Sequence, residues 1–188
     1  MDQSAATRGS TLERFRSYLY VLARAHLGPQ IQQKVDASDL VQQTLLVAHQ
    51  KRGQFRGATE AQRAAWLRQI LANNLADALR HHARARRDAR REQSLEAGID
   101  QSFLRAEHWL AASVPSPSQR LIREEDLLRL SDAITSLPDG QQQAVILHHL
   151  QGLRLVQVAS TMGRTEPAVA GLLYRGIRRL NELLDERA

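Results

Sequence analysis

Apolar residues recur along this chain at steps of three and four and never alternate singly, the spacing of helices rather than strands. Leu12, Phe15, Leu19, Leu22 and His26 form a first stripe, which Gly28-Pro29 ends. Leu40/Val41, Thr44/Leu45 and Ala48 form a second, with Asp36 or Ser38 as its N-cap and Gly53 as its end. Leu67, Ile70/Leu71, Leu75 and Ala78/Leu79 form a third, which runs on into an arginine-rich segment. The pattern predicts an all-α protein.

Residues 92–120 read as a break. Glu92-Gln93-Ser94 opens a polar stretch, and Ser113-Val114-Pro115-Ser116-Pro117-Ser118 closes it with linker chemistry. Leu127, Leu130, Ile134 and Leu137 then start a new helical series, stopped by Pro138-Asp139-Gly140. The expected organisation is two small helical domains, 1–92 and 121–188, joined by an acidic, partly flexible linker over 93–120. Within that linker Trp109 reads either as the anchor of a short helix on one domain or as a partner-binding anchor.

Residues 153–180 have the spacing of a helix-turn-helix. Leu155, Val158, Ala159 and Met162 face one way, Gly163 supplies the turn, Thr165 can cap the next helix and Pro167 sits in its first turn. Val169, Leu172/Leu173, Gly176, Ile177 and Leu180 then point inward. As a reading helix, the second would offer Thr165, Glu166, Ala170, Gly171, Tyr174 and Arg175 to base edges, and Arg164, Arg178 and Arg179 to phosphates. An ordinary helical hairpin with solvated charges has the same spacing. Ala170 and Gly171 have no side-chain donors and could serve only close approach or contact with a thymine methyl.

Charge narrows the choice of partner. The chain carries 26 basic and 20 acidic residues, net +6, and only two of the basic residues are lysines. Residues 51–92 hold 11 basic against 4 acidic residues, whereas 93–140 hold 4 against 8. One block thus carries more than the whole surplus, pointing to a polyanion: nucleic acid or an anionic membrane. On the third helix, Trp66, Gln69, Asn73, Asp77, Arg80, Arg84, Arg87 and Arg91 fall on one face at about 100° per residue. The arginines would repel one another unless something anionic lay alongside, and DNA phosphates supply that charge. Trp66, Gln69 and Asn73 stand where an unpaired base could stack or be hydrogen-bonded. A solvated basic tail and a core tryptophan are the plainer readings of the same residues.

Composition removes other chemistries. No cysteine is present, so disulfides, thiolate metal sites and thiol nucleophiles are excluded. There is no Gly-rich phosphate loop, Gly-x-Ser-x-Gly or His-Glu-x-x-His, and the adjacent His148-His149 make a poor metal pair. Neither a secretory leader nor an apolar run near 20 residues is visible. The expectation is a cytoplasmic protein that is not an enzyme and has no cofactor, metal or small-molecule substrate.

Two matches then coincide in order along the chain. Asp36-Ala37-Ser38-Asp39-Leu40-Val41-Gln42-Gln43-Thr44 resembles the polymerase-binding region 2.2 of sigma factors. Phe55-Arg56-Gly57, Trp66 to Asn74, and Asp77 with the arginines resemble regions 2.3 and 2.4. Leu137-Pro138-Asp139-Gly140-Gln141-Gln142-Gln143 with the helix-turn-helix resembles region 4. With no region 3, the likeness is to the extracytoplasmic-function (ECF) group of the sigma-70 family. The resemblance implies that Asp36, Asp39, Leu40, Gln42, Gln43 and Leu46 dock on the β′ clamp helices of core RNA polymerase. It implies that the Phe55-to-Trp66 loop, with Arg56, Gln69, Asn73 and Asp77, captures an unpaired −10 base while Arg80, Arg84 and Arg87 hold the backbone. The second helix of the C-terminal pair would read the −35 element. The β flap and an anti-sigma factor are further partners it allows. Leu172 stands where the family often has Arg, and the Phe55–Trp66 segment is longer than usual, so the promoter sequence stays open. A free-standing helix-turn-helix regulator is the rival; it leaves residues 36–91 without a role.

Overall fold

The computed structural model describes residues 12–27, 34–82, 89–113 and 124–185, and no strand occurs among them. They belong to two units, the first ending at Gln101 and the second beginning at Ser102.

In the first unit the three stripes become α1 (Arg16–His26), α2 (Ala37–Gln50) and α3 (Glu60–His82), each packed on the other two. Phe15, Leu19, Leu67, Leu71 and Leu75 are fully buried between them. Asp36, rather than Ser38, is the cap of α2: its carboxylate accepts from the Ser38 N–H at 2.8 Å. The helix stops at Gln50, and Gly53 falls in a 3₁₀ turn, Arg52–Gln54. The buried Thr44 hydroxyl donates to Leu40 O at 2.7 Å and accepts from Asn74 Nδ2 at 3.0 Å, fastening α2 to α3.

Two expectations need correction. The stretch from Phe55 to Trp66 is irregular only over 55–59, because α3 already begins at Glu60. A capping box explains the early start: Gln62 N donates to Thr59 Oγ1 at 3.2 Å, and Gln62 Oε1 accepts from Ala58 N and Thr59 N at 2.7 and 3.2 Å. The described part of α3 runs to His82 and carries Arg80 of the arginine row. Arg91 stands on the next helix, while Arg84 and Arg87 lie outside the described residues.

Second, the connector is helical over most of its length: α4 spans Ala89–Ser113. It carries a stripe at steps of four and three, Leu95, Ile99, Ser102, Ala106 and Trp109, of which Ile99, Ser102 and Ala106 are buried. Its first half belongs to the first unit. There Ile99 is 1% exposed, Gly98 lies against the His26 imidazole, and Arg68 donates to Asp100 at 2.9 Å and to Tyr18 Oη at 3.0 Å. Burial works against the Arg68 charge, but Tyr18 and Asp100 outweigh it and hold the guanidinium pKa above its ordinary value. Burial drops His26 to about 4.

The second unit contains α5 (Glu124–Thr135), α6 (Asp139–Val145) continuing into a π turn (Ile146–Leu150), α7 (Leu155–Met162) and α8 (Glu166–Asp185). The helix-turn-helix lies where its spacing places it. Gly163 takes φ 61°, the left-handed turn conformation, and Thr165 Oγ1 accepts from Ala168 N at 3.4 Å to cap α8. Val158, Val169, Leu173 and Leu180 close the core, and buried Gln142 donates to Ile134 O at 3.1 Å, pinning the end of α5.

Candidate nucleic-acid interface

Three faces collect the residues singled out above, two on the first unit and one on the second. On α2, Asp36, Asp39, Gln42, Gln43 and Leu46 point to solvent, while Leu40 is buried with the core stripe. Leu40 therefore supports this face from beneath. Leu46 is 50% exposed beside the two amides and Asp39, an apolar point with a polar surround, which is the make-up of a protein-docking surface.

On α3 the exposed row is Gln69, Asn73, Asp77 and Arg80, with half-buried Trp66 at its head. The loop 55–59 brings Phe55 back onto Trp66, ring centroids 5.1 Å apart and planes tilted by 32°. Arg63 lies 5.7 Å over the Phe55 ring and pairs with Glu60. Gly57 makes this fold-back possible: a Cβ there would run into the Phe55 ring and come within 2.8 Å of Gln62 Cβ. The helix start, the glycine and the aromatic pair thus form one arrangement, with Arg56 exposed at its rim. Arg80 pairs with Asp77 one turn away, both side chains exposed. An exposed pair of this kind contributes little.

On the second unit, α8 presents Thr165, Glu166, Ala170, Tyr174, Arg175 and Arg178 to solvent, with Arg164 in the turn and Gly171 half-buried. Tyr174 is 71% exposed, an uncommon setting for a large aromatic on a folded surface and a usable one for contact with bases or sugars. Gly171 leaves room for the Arg175 guanidinium, which lies 3.3 Å from where a Cβ would stand. Arg178 and Arg179 both reach Glu182, at 3.2 and 3.1 Å, and these bonds hold its carboxyl below the usual range. Leu172 packs toward Gly140 instead of joining this row, which accounts for an apolar side chain at that position.

Among the described residues no cluster of three His, Asp or Glu could hold a metal, and no helix is long and apolar enough to cross a membrane. His148 Nδ1 is bonded to Leu153 O at 2.8 Å and His149 lies flat against Trp109, so both rings are engaged in the fold. Residue patterns alone missed Arg68, Arg105 and His149 as fixing points, because their partners are distant in sequence. The early start of α3 was readable from Thr59-x-x-Gln62.

Comparison with known proteins supplies the independent line. Residues 11–85 match the family model of sigma-70 region 2, and residues 127–180 match sigma-70 region 4. The ECF RNA polymerase sigma factor SigF of Caulobacter vibrioides is 30% identical over 96% of this chain and 86% of its own. The ECF RNA polymerase sigma factor BldN of Streptomyces coelicolor is 31% identical over 82% of this chain; the match spans about half, 53%, of that protein's length. A solved RsbN–BldN complex aligns with 93% of this chain and 89% of its own at 24% identity and a TM-score of 0.34.

Proposed function

The chain belongs to the extracytoplasmic-function group of the sigma-70 family, and from that we propose that its three faces divide the work of promoter-directed initiation. The α2 face, Asp36, Asp39, Gln42, Gln43 and Leu46 over buried Leu40, docks on the β′ clamp helices of core RNA polymerase. Phe55, Arg56, Trp66, Gln69, Asn73 and Asp77 receive an unpaired −10 base, with Arg80, Arg84 and Arg87 along the adjacent backbone. The exposed row of α8, with Arg164, reads the −35 element, and the second unit as a whole rests on the β flap. The chemistry of RNA synthesis belongs to the polymerase, in the cytoplasm, and an anti-sigma factor that masks one of these faces is a further partner.

The observation that carries this reading is the α2–α3 pair of faces. A helix-turn-helix alone serves any DNA-binding regulator, but an exposed Asp39/Gln42/Leu46 row and an Asn73/Arg80 row on neighbouring helices have no use in one. Run-off transcription with core polymerase, with and without the protein, on a genomic promoter library tests it. Promoter-specific transcripts are expected only when the protein is present. Tight duplex binding by the protein alone, with no association with core, would establish the free-standing regulator instead.

The phosphate role makes a separate prediction. Arg80→Ala is expected to weaken holoenzyme binding across promoter sequences and to reduce the slope of log affinity against log salt by about 1. Titration from low to moderate salt checks it; an unchanged slope removes Arg80 from the backbone contacts.

A further inference from the structure

The aromatic pair at the head of α3 has a support of its own. Glu60, Arg63 and Trp66 follow one another at steps of three, on a half-buried edge beside the exposed Ala61, Gln62 and Ala65. Phe55 folds back over this edge and meets two of its members: the Trp66 ring, centroids 5.1 Å apart, and the Arg63 guanidinium carbon, 5.7 Å from the Phe55 centroid. Arg63 in turn pairs with Glu60, and Glu60 Oε2 lies 3.6 Å from the Arg14 guanidinium, in the turn ahead of α1. That oxygen is enclosed and without a hydrogen bond, which ties the carboxylate to its two guanidiniums rather than to water. A chain of contacts thus runs from Arg14 through Glu60 and Arg63 to Phe55.

Phe55 needs such a support. It stands in the irregular segment 55–59, where no helix fixes its backbone, and a loop side chain that must be ordered on binding gives up affinity to do so. Arginine is suited to hold it. Its planar guanidinium can lay a face on a ring while an edge donates to a carboxylate, which an ammonium cannot do. The Arg63–Glu60 pair is also the better shielded of the two pairs on α3: Arg63 is 24% exposed against 42% for Arg80, so solvent and salt screen it less.

We propose that Arg63 is a positioning residue for −10 capture: pinned by Glu60, it holds Phe55 on Trp66, so that the aromatic platform is set before the unpaired base arrives. This rests on the sigma-factor reading above and adds to it a residue that acts through Phe55 rather than on the DNA.

Arg63→Lys separates this role from a contact with phosphate, because it keeps the charge and gives up the stacked face. The measurement is holoenzyme binding to forked promoter DNA with a single-stranded −10 segment, in which abasic sites replace the bases one position at a time. At the position where the wild type loses most, Arg63→Lys is expected to bind the intact fork about five- to tenfold more weakly than the wild type, and the abasic fork equally. Phe55→Ala should behave in the same way, and adding Arg63→Lys to it should cost little more. Trp66 fluorescence reads the packing itself: with Trp109→Phe, Trp66 is the only tryptophan, and its quenching by acrylamide should rise in Arg63→Lys. Wild-type affinity of Arg63→Lys for the intact fork overturns the proposal. So does a loss that persists in full on the abasic fork, or unchanged quenching. If Arg63→Lys lowers core affinity as well, Glu60→Gln takes its place, since it removes only the anchor of Arg63, and the same pattern is expected of it. If no abasic position weakens the wild type, base capture itself fails, and the quenching alone decides whether Arg63 holds Phe55 in place.

Discussion

Asn73→Ala is expected to lower open-complex formation by about 1–3 kcal/mol, roughly five- to 150-fold, with affinity for core polymerase unchanged. The adjacent asparagines show why. Asn74 is turned inward and donates to the Thr44 hydroxyl at 3.0 Å, so it belongs to the α2–α3 joint. Asn73, about 100° further round the helix, is exposed in the row that leads from Trp66 to Arg80. Its amide is exposed, and on the proposed reading its contact with a base edge forms only once the base has left the duplex. Asp39→Ala and Gln42→Ala should do the opposite, lowering core affinity while leaving the opening step of the holoenzyme that does form. Permanganate footprinting of unpaired thymines measures the first effect, and fluorescence polarisation with labelled protein the second. Asn74→Ala is the control for damage to the fold and should lower the melting temperature, which Asn73→Ala should not. If Asn73→Ala and Asp39→Ala reduced core affinity equally, the two faces would not be separate functions.

Which side chains face outward was legible in the sequence because it follows from helix period alone, whereas their division between polymerase and promoter is what the family resemblance implies. Stripes of Leu, Ile and Val mark the inner faces of α1, α2, α3 and α8, and whatever lies opposite them is presented to partners. The helix-turn-helix was legible for an added reason: Gly163 and Thr165 specify a left-handed turn and a cap locally. What escaped was structure whose signal is not apolar or not local. The stripe on α4 includes Ser102 and Ala106, small residues that bury well but carry no hydrophobic signature, so a helix of 25 residues looked like a polar linker. Arg68 and Arg105 counted toward the positive charge, yet one is tied to Tyr18 and Asp100 and the other to backbone carbonyls 45 and 46 residues away. Net charge finds a class of partner; it does not say which arginines are already in use.

Gly176→Val should cost the second unit about 1–3 kcal/mol, against a total stability of only roughly 4–13 kcal/mol for a unit of this size. Gly176 is buried where α8 crosses α6. A Cβ there would stand 3.1 Å from Val145 Cγ2 and 3.5 Å from Gln141 Cβ, with the Gln141 carbonyl oxygen at 3.7 Å. Alanine already requires Val145 to yield slightly; valine adds two methyl groups to a contact with backbone on one side and a buried side chain on the other. The strain is relieved by lifting α8, the helix that carries Thr165, Tyr174, Arg175 and Arg178. Calorimetry of the full chain should therefore show one transition lowered by roughly 5–20 °C, and −35-dependent promoter binding should fall with it. Core affinity through the α2 face should stay at the wild-type level. Gly171→Ala is the matched control: its Cβ would meet only the flexible end of Arg175, at 3.3 Å, and replacing a helical glycine gains about 0.5–1 kcal/mol. That variant should melt at or above the wild-type temperature. If Gly176→Val melted like the parent, the α6–α8 crossing would not be what sets the reading helix.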